Sequence, residues 1–389
     1  MEKSDKKLWL VTIIIALGLT LLSIILHATS PSSLGDSEQI WQERLTYHLE
    51  HNALNVRVLT SGWLLFASDN LGLSVKTSFF TLQFLLLFLS GIAFWYYLKV
   101  LGFSTFLSRP GMIIYFLSYP IMLAHFEPIF TWSDFWLYLF IPLGFALSWK
   151  KNYIFATLFF ILSFFARETT VVFYPLWLYL IWLNENKKLN IKLLYPIFAL
   201  IVIALMRVSF FNASSGQVEW KLWFNFENSA RSSDTIFSLI ASLGAIWVLG
   251  LIAIKTTLKS NLILKRFFIY GALITVPVFF ISTLLVAQAR ETRLFFPPYI
   301  FLIPLTLIYF DQNKYSFQKF FERFSLLTKI IGGIILLIVG IYLSKFLFPT
   351  FEYRDWHDGA WIFLGMNLTV IFVWLIYLFY RKKLSKLLN

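Results

Sequence analysis

At 389 residues the chain is long enough for two or three soluble domains, yet 59 % of its residues are hydrophobic and only 14 % charged, against roughly a quarter in an average soluble domain. With 44 Phe, 18 Tyr and 15 Trp and a mean hydropathy of +0.73, a soluble core could not hide the apolar side chains, which excludes a soluble enzyme, a disordered chain and a coiled coil. The absence of cysteine excludes disulfides, thiol nucleophiles and thiolate metal sites, and the net charge of +13 is the kind of excess that cytoplasmic loops of membrane proteins carry.

The first element is a basic N-terminus, Met1 to Lys7, followed by an apolar run from Leu8 to Leu26. At about 19 residues the run is longer than a signal-peptide core and matches a hydrocarbon layer of roughly 30 Å. His27-Ala-Thr-Ser is a poor cleavage site, so an uncleaved first span is expected.

A long outer segment, 28–74, comes next. It carries Asp36-x-Glu38 just past the first span. Ile40, Trp41, Leu45 and Leu49 fall on one helical face, which predicts an interfacial helix over 37–50. Asp36 then reads either as the N-cap of that helix, with Gln39 completing a capping box, or as a fixed and exposed carboxylate available for chemistry. Glu38 reads as a first-turn acid that complements the helix dipole or as a second acid of the same site. The apolar stretch after Arg57 is too short to span comfortably and predicts a re-entrant or surface helix. Arg57 itself is either an anion ligand or a headgroup anchor.

Apolar runs at 75–98, 109–123, 135–149, 152–166, 169–183, 193–211, 234–254, 267–286, 294–310, 329–348 and 359–380 follow. Together with the first they predict an all-α, polytopic membrane protein of about 12 spans. An even number puts both termini on one side, and the charges choose the cytoplasm. Some two thirds of the 33 Lys and Arg then fall in cytoplasmic segments, whereas Glu2, Asp5, Glu185, Asp311 and Glu322 are the cytoplasmic acids among 20. Residues 1–389 are thus expected to form a single transmembrane domain with no separate soluble domain. All five histidines, His27, His48, His51, His125 and His357, are expected on the outer side, as are the longer outer segments 212–233 and 349–358.

Between the third and fourth spans, Asp134 follows Ser133 and opens a helix, where N-capping is the simplest role and substrate contact the alternative. Arg167-Glu168 joins two spans with room for only about 15 residues each, roughly 22 Å. The charged tip therefore lies below the membrane surface, inside the protein, either lining a cavity or pairing with itself. Gln288-Ala-Arg290-Glu291-Thr-Arg293-Leu-Phe-Phe-Pro297 joins the ninth and tenth spans. Its two arginines suit bidentate phosphate contacts, or an ion-pair cluster around Glu291. The histidines form no metal-ligand pattern, since His48-x-x-His51 lacks a recognisable third ligand. No nucleotide-binding loop and no Gly-x-Ser-x-Gly elbow occurs. Asn212-Ala-Ser214 matches the short glycosylation pattern.

The layout resembles the GT-C superfamily of polytopic glycosyltransferases that use polyprenyl-phosphate sugars. The points of likeness are Asp36-x-Glu38 directly after the first span, the interfacial helix, the Arg57-led stretch, the Ala-Arg-Glu-Thr element at 166–169 and its fuller echo Ala-Arg-Glu-Thr-Arg-Leu-Phe-Phe-Pro at 289–297. The resemblance covers roughly the first 310 residues in layout and only these short motifs in sequence. It implies that Asp36, with Glu38 second, acts as base toward the acceptor. It implies by position that Arg57, Arg167, Arg290 and Arg293 hold the lipid-linked phosphate, and Asp134 and Glu168 stand with them as candidate substrate-binding residues. Trp41, Trp132 and Trp136 are placed to stack on sugar rings or to sit as interface aromatics. Some relatives bind a divalent metal through acidic motifs and others need none. Asp36-x-Glu38 is not a strict Asp-x-Asp, so the metal ligands are unknown and a divalent metal is the one cofactor the resemblance leaves open.

The expected partners are a polyprenyl-phosphate-linked sugar, a cell-envelope glycan or lipid acceptor, and membrane lipid, with no nucleic acid. The expected location is the cell membrane, of the bacterial inner-membrane type. The alternative is a transporter or flippase for a lipid-linked or anionic solute, which the buried Arg167-Glu168 favours and the absence of internal repeats disfavours. A third option is a glycan polymerase or a scaffold in an assembly pathway.

Overall fold

The computed structural model describes residues 3–28, 35–50, 57–123, 133–188, 190–210, 220–257, 263–289, 291–348 and 357–388. Among these every regular element is helical. The chain divides into two units, 1–219 and 220–389.

Unit 1 begins with α1 (Lys3–Ala28), then α2 (Glu38–Glu50), α3 (Val58–Leu71) and α4 (Val75–Val100). Next come α5 (Thr105–Phe116), α6 (Asp134–Trp149), α7 (Tyr153–Ala166), α8 (Tyr174–Asn184) and α9 (Leu194–Phe210). Its centre is α4, which packs on α1, α3, α5 and α6. Gly91 makes the α4–α5 approach possible: a Cβ there would lie 2.1 Å from the Phe116 ring. Just beside it the Tyr115 hydroxyl donates to Ser90 Oγ at 2.8 Å, so these two buried hydroxyls satisfy each other. α1 is tied to α5 by Arg109, whose Nε donates to Thr12 Oγ1 at 3.1 Å and Nη2 to the Leu8 carbonyl at 2.7 Å.

α2 falls where the interfacial helix was expected and starts one residue later. Ser37, not Asp36, caps it, with the Ile40 amide donating to Ser37 Oγ at 3.4 Å. Gln39 turns instead to Glu43, so no capping box forms. The buried stripe is Trp41, Leu45 and His48, while Ile40 and Leu49 face outward. This rotation follows from the cluster that Trp41 and Leu45 join with Leu64, Val75 and Phe79 of α3 and α4. α3 is a regular helix of 14 residues that ends at Gly72 in the left-handed region, φ 62°.

The tip between α7 and α8 departs from two symmetrical short spans. Arg167 is extended, and Glu168–Phe173 is a 3-10 turn before α8 begins. At the opposite end of α7 and α8, Glu185 gathers the chain. Its Oε1 accepts from the Tyr153 hydroxyl at 2.8 Å and from Lys192 Nζ at 3.0 Å, and its Oε2 from Asn190 Nδ2 at 3.1 Å. The Tyr153 hydrogen bond, then Lys192, hold its carboxyl below the usual carboxylate range.

Unit 2 contains α10 (Ser229–Leu243), α11 (Ala245–Thr257), α12 (Ile263–Val286), α13 (Tyr299–Glu322), α14 (Leu326–Leu347) and α15 (His357–Leu388). α10 and α11 form one apolar segment bent by 63° at Gly244, φ +52°. The bend exposes helix-end polar groups, and Asn367 of α15 fills it: its Oδ1 accepts from the Ala245 amide at 2.8 Å. A Cβ on Gly244 would lie 2.0 Å from that oxygen. α13 and α15 are joined by Trp374 Nε1 donating to the Tyr309 hydroxyl at 2.9 Å and by the Tyr377 ring stacked on Phe317.

Helices occupy each of the twelve apolar runs. Five described helices, α1, α4, α12, α14 and α15, are long and apolar enough to cross a membrane, or six if the bent α10–α11 pair is one span. α6, α7 and α8 have 16, 14 and 11 residues, shorter than a hydrocarbon layer of roughly 30 Å requires of a straight helix. The outward-facing Leu, Ile and Phe of α14, from Leu326 to Phe346, would be an aggregation surface in water and are ordinary in lipid. These features are consistent with a membrane protein.

Candidate functional site

The residues singled out in the sequence fall into three groups. The first lies where α2 meets the start of α4. Glu38 is committed to structure. Its Oε1 accepts from the Val75 amide at 2.6 Å and its Oε2 from the Lys76 amide at 3.2 Å, which satisfies two of the donors that every helix N-terminus leaves open. The carboxylate also complements the positive end of α4. A dipole role was expected of Glu38, but toward its own helix; the structure directs it to one that starts 37 residues on.

Asp36 is half-exposed. Its Oδ2 pairs with Arg44 Nη1 at 2.6 Å and its carbonyl accepts from Lys76 Nζ at 2.9 Å. Arg44 also lies over Trp41, 5.1 Å from the ring centroid. The Asp36 carboxylate is therefore paired with one cation, Arg44, at the edge of an aromatic cluster, while a second, Lys76, holds its backbone carbonyl. Arg44 and Lys76 carried no motif in the sequence.

The second group is a pair of ion pairs linking α3, α6 and the Arg167-Glu168 tip. Arg57 donates from Nε to Glu168 Oε2 at 3.1 Å and from Nη2 to Oε1 at 3.3 Å, a fork-to-fork contact. Arg167 Nη1 donates to Asp134 Oδ1, with side-chain exposures of 6 % and 2 %. Arg167 and Glu168 thus do not pair with each other. Each reaches to a different element, because the extended backbone at Arg167 sends neighbouring side chains in opposite directions. Asp134 is the first residue of α6, and Ser133, at the N-cap position, makes no side-chain cap bond there. Trp136, two residues on, donates from Nε1 to Thr60 Oγ1 at 3.2 Å and ties α6 to α3 again. Four of the eight predicted site residues therefore gather in unit 1, as one buried pair and one partly buried pair. Thr60 belongs beside them and had no signal in the sequence.

The third group, in unit 2, is the loop after α12. Arg293 is buried and pairs with Glu291, its Nε donating to Oε2 at 2.9 Å. This is the ion-pair arrangement that competed with phosphate binding in the sequence. Arg290 lies outside the described residues, as do His51, His125, Trp132, Asn212 and Ser214. The loop is held by Asn225, from the short helix Leu222–Asn225. Its Nδ2 donates to the carbonyls of Leu284 and Ala287 at 3.0 and 2.9 Å, and its Oδ1 accepts from the Ala289 amide at 3.0 Å. One amide side chain therefore closes the C-terminal end of α12 and fixes the start of the arginine loop.

Among the described residues no three or more His, Asp or Glu side chains gather as a metal site. Compared with protein-family models, with curated proteins and with solved structures, the chain has no match.

Proposed function

We propose that the chain is a multi-pass membrane glycosyltransferase of the cell membrane, with twelve spans and cytoplasmic termini, that moves a sugar from a polyprenyl-phosphate donor to a glycan or lipid acceptor at the outer face. The observation that carries it is the state of Asp36: a partly exposed carboxylate just before α2, paired with Arg44 and held at its backbone carbonyl by Lys76, while Glu38 beside it is consumed by α4. In the reaction, Asp36 accepts the proton of the acceptor hydroxyl as that oxygen bonds to the anomeric carbon. The bond from the anomeric carbon to the phosphate oxygen breaks, and its electron pair leaves with the polyprenyl phosphate. Arg44 and Lys76 near Asp36 are suited to the charge that develops on that phosphate. The partly buried Arg57–Glu168 pair and the buried Arg167–Asp134 pair then serve to fix α3 and α6 against the tip.

The test is purified protein with a panel of polyprenyl-phosphate sugars, scored for released polyprenyl phosphate, with Asp36→Asn alongside. Turnover that Asp36→Asn loses while remaining folded is the expected result. Wild-type turnover by Asp36→Asn overturns the assignment of the base.

One observation favours transport of a lipid-linked or anionic solute instead. The α10–α11 segment is broken by 63°, and interrupted helices build substrate sites in transporters. Movement of a lipid-linked sugar across proteoliposomes without bond formation would decide for it.

A further inference from the structure

A groove between α8 and α9 takes no part in the transfer chemistry. It holds about 460 Å³, and Pro175, Leu178, Tyr179 and Trp182 of α8 face Leu194 and Ile197 of α9 across it. Leu178, Leu194 and Ile197 are 37 %, 53 % and 48 % exposed, so the groove is open along its length.

One end of the groove is cationic. After α8 the chain turns through Asn186 and Lys187, both with positive φ, 55° and 60°. The Lys187 amide donates back to the Trp182 carbonyl at 2.8 Å. This turn folds Lys187 over the groove, its Nζ 6.0 Å from the Trp182 ring centroid. Lys188 is exposed beside it.

The nearby acid is already engaged. Glu185 is taken up by Lys192, Tyr153 and Asn190. Among the described residues no carboxylate lies within ion-pair distance of Lys187 or Lys188. Two free lysines above an aromatic rim and an apolar trough match a molecule with an anionic head and an alkyl tail. The 184–192 loop is also one of the basic segments expected in the cytoplasm, where the leaflet carries anionic lipid.

We propose that this groove binds an anionic phospholipid. One acyl chain lies against Leu178, Leu194 and Ile197, Tyr179 and Trp182 sit at headgroup level, and Lys187 and Lys188 hold the phosphate. Phospholipid here bridges α8 and α9, far in sequence from Asp36, and the site stands whether or not the chain transfers sugar.

The test is native mass spectrometry of the detergent-purified full chain with equimolar phosphatidylglycerol and phosphatidylcholine of identical acyl composition. The wild-type protein should keep one phosphatidylglycerol in preference to phosphatidylcholine. Lys187→Gln/Lys188→Gln should weaken that adduct by roughly fivefold per lysine removed. Leu178→Trp, which fills the trough from an exposed position, should lose the adduct with the lysines intact. Thermal unfolding identical to wild type shows that both variants are folded. Equal retention of the two lipids by the wild type, or a preference unchanged in both variants, overturns the site. So does a protein–protein dimer, in place of a lipid adduct, that Leu178→Trp abolishes.

Discussion

The Asp134–Arg167 pair gives the sharpest test of how this fold is held. Both side chains are nearly excluded from solvent, at 2 % and 6 % exposure. Two unit charges about 4 Å apart attract by roughly 4 kcal/mol at the effective dielectric that suits protein sites. That gain is offset by the desolvation of both ions, so the intact pair contributes little net stability. Breaking it is another matter, because one charge stays buried without its partner, at a cost of about 3–5 kcal/mol. Asp134→Leu is therefore expected to destabilise unit 1 by about 3–5 kcal/mol. Adding Arg167→Met removes the orphaned guanidinium and should return stability to within about 1 kcal/mol of wild type. The assay is unfolding of the purified protein by SDS titration in mixed micelles, followed by intrinsic fluorescence, for both single variants and the double. A single variant costing less than about 1 kcal/mol, or a double as unstable as its worse parent, would refute the buried-pair account. The stable double variant then separates structure from chemistry. If it keeps turnover, the pair is scaffold; if it loses turnover while folded, the pair touches substrate.

Three further outcomes follow from the same geometry. Glu38→Gln should cost about 1–2 kcal/mol, because a carboxylate that caps α4 becomes a neutral amide, whereas Asp36→Asn, breaking a half-exposed pair with Arg44, should cost no more than about 1 kcal/mol; a denaturation midpoint that falls further for Asp36→Asn reverses the assignment of roles. Gly244→Ala should destabilise unit 2 by about 1–3 kcal/mol from backbone strain alone and more from the collision with Asn367, and unchanged thermal unfolding would mean that the α10–α11 bend is not built as described. Glu185 has its pKa depressed in the folded state, so its stabilisation is present above the ordinary carboxylate range and lost as pH falls through the lower folded value. Melting temperatures taken from pH 6 down to 3 should therefore fall less steeply for Glu185→Gln than for wild type, and parallel curves would count against the Tyr153–Lys192 cluster.

The local and the long-range parts of the site differed in how far they could be read in advance. The interfacial helix was visible from the spacing of Trp41 and Leu45, but its cap moved from Asp36 to Ser37 and its buried stripe took in His48. Periodicity gives a helix face to within one residue, and the neighbours in α3 and α4 set its final rotation. Arg167 and Glu168 stand out in the sequence as charges in apolar surroundings, Arg57 as the head of an apolar stretch and Asp134 as the residue that opens a helix. That two of them would pair across α6 and two across α3 had no local signature, since Arg57 and Glu168 lie 111 positions apart.

What the sequence determined by itself is the helical class and the placement of helices. In an apolar solvent every backbone amide must be satisfied within its own segment, and runs of apolar residues between charged breaks can do that only as helices. It also determined the asymmetry of charge along the chain. Only the tertiary structure decided the use of each polar side chain. Glu38 caps α4 rather than α2, Arg167 turns away from Glu168 toward Asp134, Asn367 fills the break at Gly244 and Asn225 holds the arginine loop. Each of these choices depends on which donor or acceptor packing brings within hydrogen-bond reach, and a buried polar group takes the partner that packing supplies.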